Sequence, residues 1–201
     1  MKPRVHGCVV QAYDVNHIYL AEATIPLMAK WCHKHGWSHK VFKSPISEDH
    51  DHNYRKYLVV RSCLNDDNEV VVWADTDIVP VSGEDLKLSQ DHADIHISLD
   101  RHGYCAGMMV YYNSQWTRDF VAGLTAIIPK HGIYRTHEQD CLKRLLLIGQ
   151  AQGQTRTIPE TVVACPQSPE TIKPTFYHLW ANLGWESALT RLGEIKAKYE
   201  I

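Results

Sequence analysis

The stretch Val70-Val71-Val72-Trp73-Ala74-Asp75-Thr76-Asp77 decides how this chain is read. Its first five residues are apolar without interruption and begin with β-branched side chains. That pattern predicts a strand covered on both faces, in the middle of a parallel or mixed sheet. Carboxylates do not sit inside such a strand, so Asp75 and Asp77 are expected at its C-terminal end, where open α/β sheets bind ligands. Two hard oxygen donors one residue apart suit Mg²⁺ or Mn²⁺, ions that keep some waters and share a substrate's phosphates. The competing reading is a solvated turn in which one Asp caps the next segment. The apolar strand in front tips the balance, because an exposed turn needs no such run.

The rest of the composition is that of an ordinary globular α/β chain. There are 201 residues, 44% hydrophobic and 22% charged, enough to bury a proper core as one domain. The net charge of −2 is spread over both signs and provides no basic face for nucleic acid or an anionic membrane. Six cysteines, Cys8, Cys32, Cys63, Cys105, Cys141 and Cys165, form no CxxC pair and read as small buried hydrophobes of a reducing compartment. No stretch approaches membrane-spanning length, and the start lacks a signal-type apolar run. The expected location is therefore the cytoplasm. The charged, uncapped end at Glu194–Ile201 leaves room for this domain to be the first part of a longer chain.

Working outward from the central run, strands are expected at Val5–Tyr13, His39–Phe42, Ile95–Leu99 and Gly107–Tyr112. Helices are expected from an Asn16 cap to about Lys34, with Pro26 as a kink or boundary, and at Tyr54–Leu64, Glu84–Leu88, Ser114–Ile127, Thr136–Ile148 and Trp185–Tyr199. Ser44–Asn53 reads as a loop. Short extended pieces near Arg156–Ala164 and Thr175–Leu179 complete the chain. Strands alternate with helices early and lose that order late, which suggests a nucleotide-binding first half and an acceptor-facing second half.

Four further stretches share a pattern with the central one: Lys56-Tyr-Leu-Val-Val-Arg61-Ser-Cys-Leu64, Gly107-Met-Met-Val-Tyr-Tyr-Asn113-Ser-Gln-Trp116, His137-Glu138-Gln139-Asp140 and Phe176-Tyr-His178. In order and spacing, the set resembles GT-A-fold retaining glycosyltransferases of the galactosyl- and xylosyltransferase family of plants and fungi. The resemblance implies an α/β GT-A fold, a Rossmann-like nucleotide-diphospho-sugar transferase with a mixed central sheet flanked by helices. It implies transfer of a hexose or deoxyhexose from a UDP-sugar donor to a carbohydrate acceptor with retention, dependent on Mn²⁺ or Mg²⁺. Two departures stand out. Family members usually carry Asn-Thr-Gly where this chain has Cys105-Ala106-Gly107, and a glycine where it has Ala181, so a diphosphate contact there falls to Asn182 or Gly184.

The resemblance also distributes roles. Asp75, Asp77 and His178 would ligate the ion, with imidazole favouring Mn²⁺; a buried, hydrogen-bonded histidine among aromatics is the alternative for His178. Lys56 or Arg61 would add positive charge at the leaving diphosphate, although either also suits a solvated helix face. Gln11, Ala12 and Tyr13 would hold the base, Tyr13 by stacking unless it is a core tyrosine. Asp100 and Gly107 would touch the donor. Glu138 would hold sugar hydroxyls and Gln139 would lie beside the anomeric carbon, the former also being a carboxylate favoured at a helix start. Trp180 and Trp185 are either an acceptor platform or core. The histidines His33, His35, His39, His50, His52, His92 and His96 lack closed zinc spacing and read as surface residues. Two other functions stay open: a haloacid-dehalogenase-like phosphatase with Asp75 as nucleophile, and a nucleotide-sugar-binding subunit without turnover.

Overall fold

A computed structural model describes residues 7–43, 52–87, 93–100, 103–127, 138–179 and 184–201, without the side chains of 52–55, 100, 127, 138–141, 150 and 151. In chain order the elements are β1 (Gly7–Tyr13), a 3-10 turn at Val15–His17, α1 (Ile18–His35), β2 (Ser38–Lys43), α2 (His52–Asn65), β3 (Val70–Ala74), β4 (Ile78–Pro80), β5 (Ile95–Asp100) and β6 (Gly103–Tyr112). Then come α3 (Gln115–Ile127), α4 (Glu138–Ala151), β7 (Thr155–Thr157), β8 (Val163–Ala164), β9 (Phe176–His178) and α5 (Trp185–Tyr199).

The main sheet has six strands in the order β2-β1-β3-β6-β5-β7. β1 runs parallel to β2 and β3, β6 is antiparallel to β3 and β5, and β7 lies parallel to β5. This is the mixed sheet expected from the sequence, with β3 inside it. The reason for its unbroken apolar run is visible in the packing. Val71 and Trp73 point into a cluster containing Tyr57 of α2, Leu124 of α3 and Leu146 of α4. Val70, Val72 and Ala74 point the other way, onto Met28 and Trp31 of α1 and Phe176 of β9. Successive side chains leave a strand on opposite faces, and here both faces are covered.

A smaller sheet, β4-β9-β8, was not legible as such in the sequence. Its strands are two or three residues long, too short for a period-2 pattern to register. Val79 and Leu179 beside it join Leu20 of α1 and Ala188, Leu192 and Ile195 of α5 in a third apolar cluster.

Several local expectations need correction. Asn16 does not cap α1, whose N-cap His17 makes no side-chain cap bond; Asp14 caps the 3-10 turn that leads into it, its carboxylate accepting from the N–H groups of Asn16 and His17 at 2.9 and 3.1 Å. α1 passes through Pro26 without ending, because Pro26 lies on its exposed side, where the carbonyl that loses its partner faces water. No helix forms over Glu84–Lys87, whose backbone is taken up elsewhere. The Trp31 indole donates to the Glu84 carbonyl at 2.9 Å, and Lys34 donates to that of Gly83 at 2.9 Å. The histidines are not all at the surface. His96 is buried on the interior strand β5 against Tyr112, and His39 is half-buried beside Gln11. Five of the six cysteines are described, and all five are free and buried as expected.

Candidate functional site

The C-terminal end of β3 meets an irregularity in β6. The β5–β6 register jumps from Ile97↔Met109 to Ser98↔Cys105, so Ala106, Gly107 and Met108 have no opposite residue on β5. Such bulges bend a strand and re-aim its groups beside functional sites. Here the Gly107 carbonyl accepts from the Asp75 N–H at 2.8 Å, and the Ala106 carbonyl lies 3.4 Å from Lys56 Nζ. The bulge therefore ties Asp75 and Lys56 to one corner of the sheet.

Asp75 Oδ1 accepts the Trp73 indole N–H at 2.7 Å and lies 3.8 Å from Lys56 Nζ. Trp73 and Asp75 are two residues apart on an extended chain, so they leave it on the same side. Lys56 is only 6% exposed, and its ammonium also sits over the Trp73 ring, 5.5 Å from the centroid. Gln11 is fully buried and donates from Nε2 to the Asp75 carbonyl at 3.4 Å, which joins the ends of β1 and β3.

Asp77 and His178 come together although they are 101 residues apart in sequence, because β4 and β9 pair with Ile78 opposite His178. His178 Nε2 lies 3.2 Å from Asp77 Oδ2, and the Leu179 N–H donates to the Asp77 carbonyl at 2.8 Å. Both side chains are about nine-tenths buried. The other imidazole nitrogen, Nδ1, is 3.7 Å from Cys105 Sγ. Burial works against a charged imidazole here, but the Asp77 carboxylate, helped by the hydrogen bonds to Asp77 and Cys105, outweighs it and holds His178 well above the usual histidine range. Gly107 makes room for this ring, since a Cβ on it would lie 3.0 Å from His178 Cε1 and 3.3 Å from Nε2.

Of the three expected ligands, Asp77 and His178 meet directly. Asp75 stands at the same strand end with its carboxylate toward Trp73 and Lys56. Among the described residues no three His, Cys, Asp or Glu side chains gather into a ready ligand cluster. The donor chemistry nevertheless fits a divalent cation: a buried carboxylate and imidazole already paired, with a second carboxylate at hand.

The remaining expected residues divide. Ala12 packs partly buried against the core, and Tyr13 ends β1 half-buried. Arg61 is exposed on the α3 side of α2, where Nη1 lies 3.4 Å from Thr125 Oγ1, so the structure does not bring it to Asp75. Glu138 and Gln139 are the first residues of α4 and Asp100 is the last of β5; their side chains lie outside the described residues. Trp180, Ala181 and Asn182 also lie outside them. Gly184 is described and caps α5, and Trp185 packs on Tyr19 of α1 with ring centroids 5.1 Å apart. Sequence reasoning missed Trp73 and Cys105 as neighbours of the acidic residues. The two-residue spacing from Asp75 was a signal for the first; nothing local pointed to the second.

No family model and no curated protein matches the sequence. Solved structures do match by fold. A glycosyltransferase involved in glycosylation of the major capsid of PBCV-1 aligns with a TM-score of 0.74 at 13% identity, over 92% of this chain and 98% of that one. The galactosyltransferase LgtC, in complex with donor and acceptor sugar analogues, aligns at 0.54 and 12% identity over 96% of both chains. A Drosophila β-1,4-galactosyltransferase 7 mutant, in complex with manganese, UDP-Gal and xylobiose, aligns at 0.50 and 16% identity, over 87% of this chain and 71% of that one. The chain thus has the GT-A fold of glycosyltransferases, as the sequence motifs implied.

Proposed function

We propose that this protein is a divalent-metal-dependent glycosyltransferase that moves a hexose or deoxyhexose from a UDP-sugar to a carbohydrate acceptor with retention. The observation that carries the reading is the buried Asp77–His178 pair, 3.2 Å apart, beside Asp75 at the end of the central strand of a GT-A sheet. Asp75, Asp77 and His178 are the residues that would hold the ion, Mn²⁺ in preference to Mg²⁺. A bound divalent cation supplies Lewis-acid neutralisation of the charge that builds on a departing diphosphate.

The chain's own groups do the rest. Lys56 brings a buried positive charge to the same corner without reorganising, which is worth more in a dry site than in water. Gln11 orients the strand end through the Asp75 carbonyl. Ala12 and Tyr13, at the matching end of the parallel neighbour β1, are assigned to the base. Gln139 is assigned to the anomeric carbon; Glu138, Asp100 and Gly107 are assigned to the donor sugar. Buried thiols such as Cys8 and Cys63 suit a reducing compartment, and the cytoplasm is the location this reading carries. No described helix is long and apolar enough to cross a membrane.

A thermal-shift panel of nucleotide sugars, with and without Mn²⁺, tests the proposal, because ligand binding raises apparent stability by mass action. UDP-sugars should stabilise only with Mn²⁺, the same donors should hydrolyse slowly, and Asp77→Ala should abolish both effects. No stabilisation by any UDP-sugar with Mn²⁺, together with no donor hydrolysis, would overturn it.

A further inference from the structure

The far side of the His178 ring carries one step more, which rests on the metal reading of the site. The ring is held at both nitrogens: Nε2 lies 3.2 Å from Asp77 Oδ2, and Nδ1 lies 3.7 Å from Cys105 Sγ. His178 and Cys105 are both buried. Gly107 lies close to both, since a Cβ on it would come within 3.0 Å of the ring and 3.4 Å of the sulfur. Cys105 is itself anchored at the β6 irregularity. It stands opposite Ser98, whose buried hydroxyl donates to the Cys105 carbonyl at 2.9 Å.

A neutral imidazole has one N–H and one free lone pair, and only the nitrogen with the lone pair can ligate a metal. Nε2 faces Asp77, so an ion shared by Asp77 and His178 takes Nε2 and leaves the proton on Nδ1. A buried N–H left without an acceptor is costly. Ligating histidines almost always donate this second N–H to a neighbour, which fixes the tautomer and the ring. The sulfur of Cys105 is in range of Nδ1, and sulfur is a weak acceptor. We propose that Cys105 is a positioning residue: its sulfur accepts the Nδ1–H of His178 and so fixes the tautomer whose Nε2 meets the divalent ion beside Asp77. Cys105 thus selects the ligating nitrogen as well as filling space.

The test compares Cys105→Ala with Cys105→Ser in the whole chain, because the two side chains fill nearly the same space and differ by one hydrogen-bonding oxygen. Calorimetric titration with Mn²⁺ should show Cys105→Ala weakened about tenfold, the lower end of what loss of a ligand's outer partner costs. Cys105→Ser should recover most of that loss. Pulsed electron paramagnetic resonance of bound Mn²⁺, with histidine labelled by ¹⁵N at Nδ1 alone, reads which nitrogen is coordinated. Wild type and Cys105→Ser should show coordination by the unlabelled Nε2, and in Cys105→Ala that coupling should shrink for each ion bound. Circular dichroism checks folding; if Cys105→Ala does not fold, Cys105→Val and its isostere Cys105→Thr replace the pair. Equal affinities in the apolar and hydroxyl variants, or an unchanged Nε2 coupling in the apolar one, overturn the role of Cys105 and leave the metal reading intact. A wild-type protein that binds no Mn²⁺, with or without UDP, overturns both.

Discussion

Gly107→Ala isolates the packing that shapes the site. The substitution adds one methyl group to a strand residue whose φ is not in the left-handed region, so the backbone accepts it. The new Cβ would lie 3.0 Å from His178 Cε1, 3.3 Å from Nε2 and 3.4 Å from Cys105 Sγ. Ordinary carbon contacts need ~3.5–4.0 Å, so the imidazole must retreat by roughly half an ångström. It has little space to do so, because Asp77 holds one nitrogen at 3.2 Å, Cys105 faces the other at 3.7 Å, and the residue is 7% exposed. Overpacking of this kind costs about 1–3 kcal/mol, whereas replacing glycine by alanine restricts the unfolded chain and returns about 0.4–1 kcal/mol. The net expectation is a loss of up to about 2.6 kcal/mol, centred near ~1.3 kcal/mol, which at the centre is a fall in Tm of roughly 3–5 °C for a chain of this size. Mn²⁺ affinity should fall as well, since the displaced nitrogen is a proposed ligand. Gly123→Ala on α3 is the control: a Cβ there meets nothing within 4 Å, and the variant should gain about 0.5–1 kcal/mol. Differential scanning calorimetry and Mn²⁺ titration of both variants decide the matter. A Gly107→Ala protein as stable as wild type, with unchanged Mn²⁺ affinity, would refute the reasoning.

Three further outcomes are expected. Trp73→Phe keeps most of the ring but removes the N–H that Asp75 accepts at 2.7 Å; urea denaturation should show a loss of about 1 kcal/mol, and an unchanged midpoint would contradict the contact. His178 is held above its ordinary value of 6.5, despite burial, by Asp77. Its contribution to metal-free stability is therefore complete below about pH 6.5 and is lost as pH rises through the folded value, while Mn²⁺ affinity should rise over the same window as the proton leaves. Stability profiles of wild type and His178→Asn that have the same slope would rule this out. Asp14 is held below its ordinary 3.8: burial opposes ionisation, but His17 and the N–H groups of Asn16 and His17 outweigh it. Its contribution is present above that ordinary value and lost as pH falls through the depressed one; Asp14→Ala should cost about 1 kcal/mol at neutral pH, and a loss that persists unchanged into strong acid would count against the cap.

The central strand was fully readable because its information is local. Five consecutive apolar residues, with no polar alternation, leave little but a strand covered on both sides, and the packing of Val71 and Trp73 against one cluster and Val70, Val72 and Ala74 against the other is the physical content of that pattern. The long helices followed in the same way from their apolar spacing, and the motif order implied the GT-A fold. What failed were segments whose state is decided by distant partners. Glu84–Lys87 stays non-helical because Trp31 and Lys34 of α1 occupy the carbonyls of Glu84 and Gly83. His96 looked like a surface histidine because nothing near it in sequence tells that β5 is sandwiched between β6 and β7.

The candidate site divides along the same line. The sequence alone determined that Asp75 and Asp77 end a buried strand, since the number of apolar residues before them sets where the chain can first meet solvent. The tertiary structure decided the rest. It brought His178 to Asp77 through the pairing of two three-residue strands, opened a bulge that aims Gly107 and Ala106 at Asp75 and Lys56, and seated a buried ammonium beside the first aspartate. Those contacts join residues separated by up to 101 positions. They exist because strand register and close packing bring distant segments together, and neither is recorded in the periodicity of any one segment.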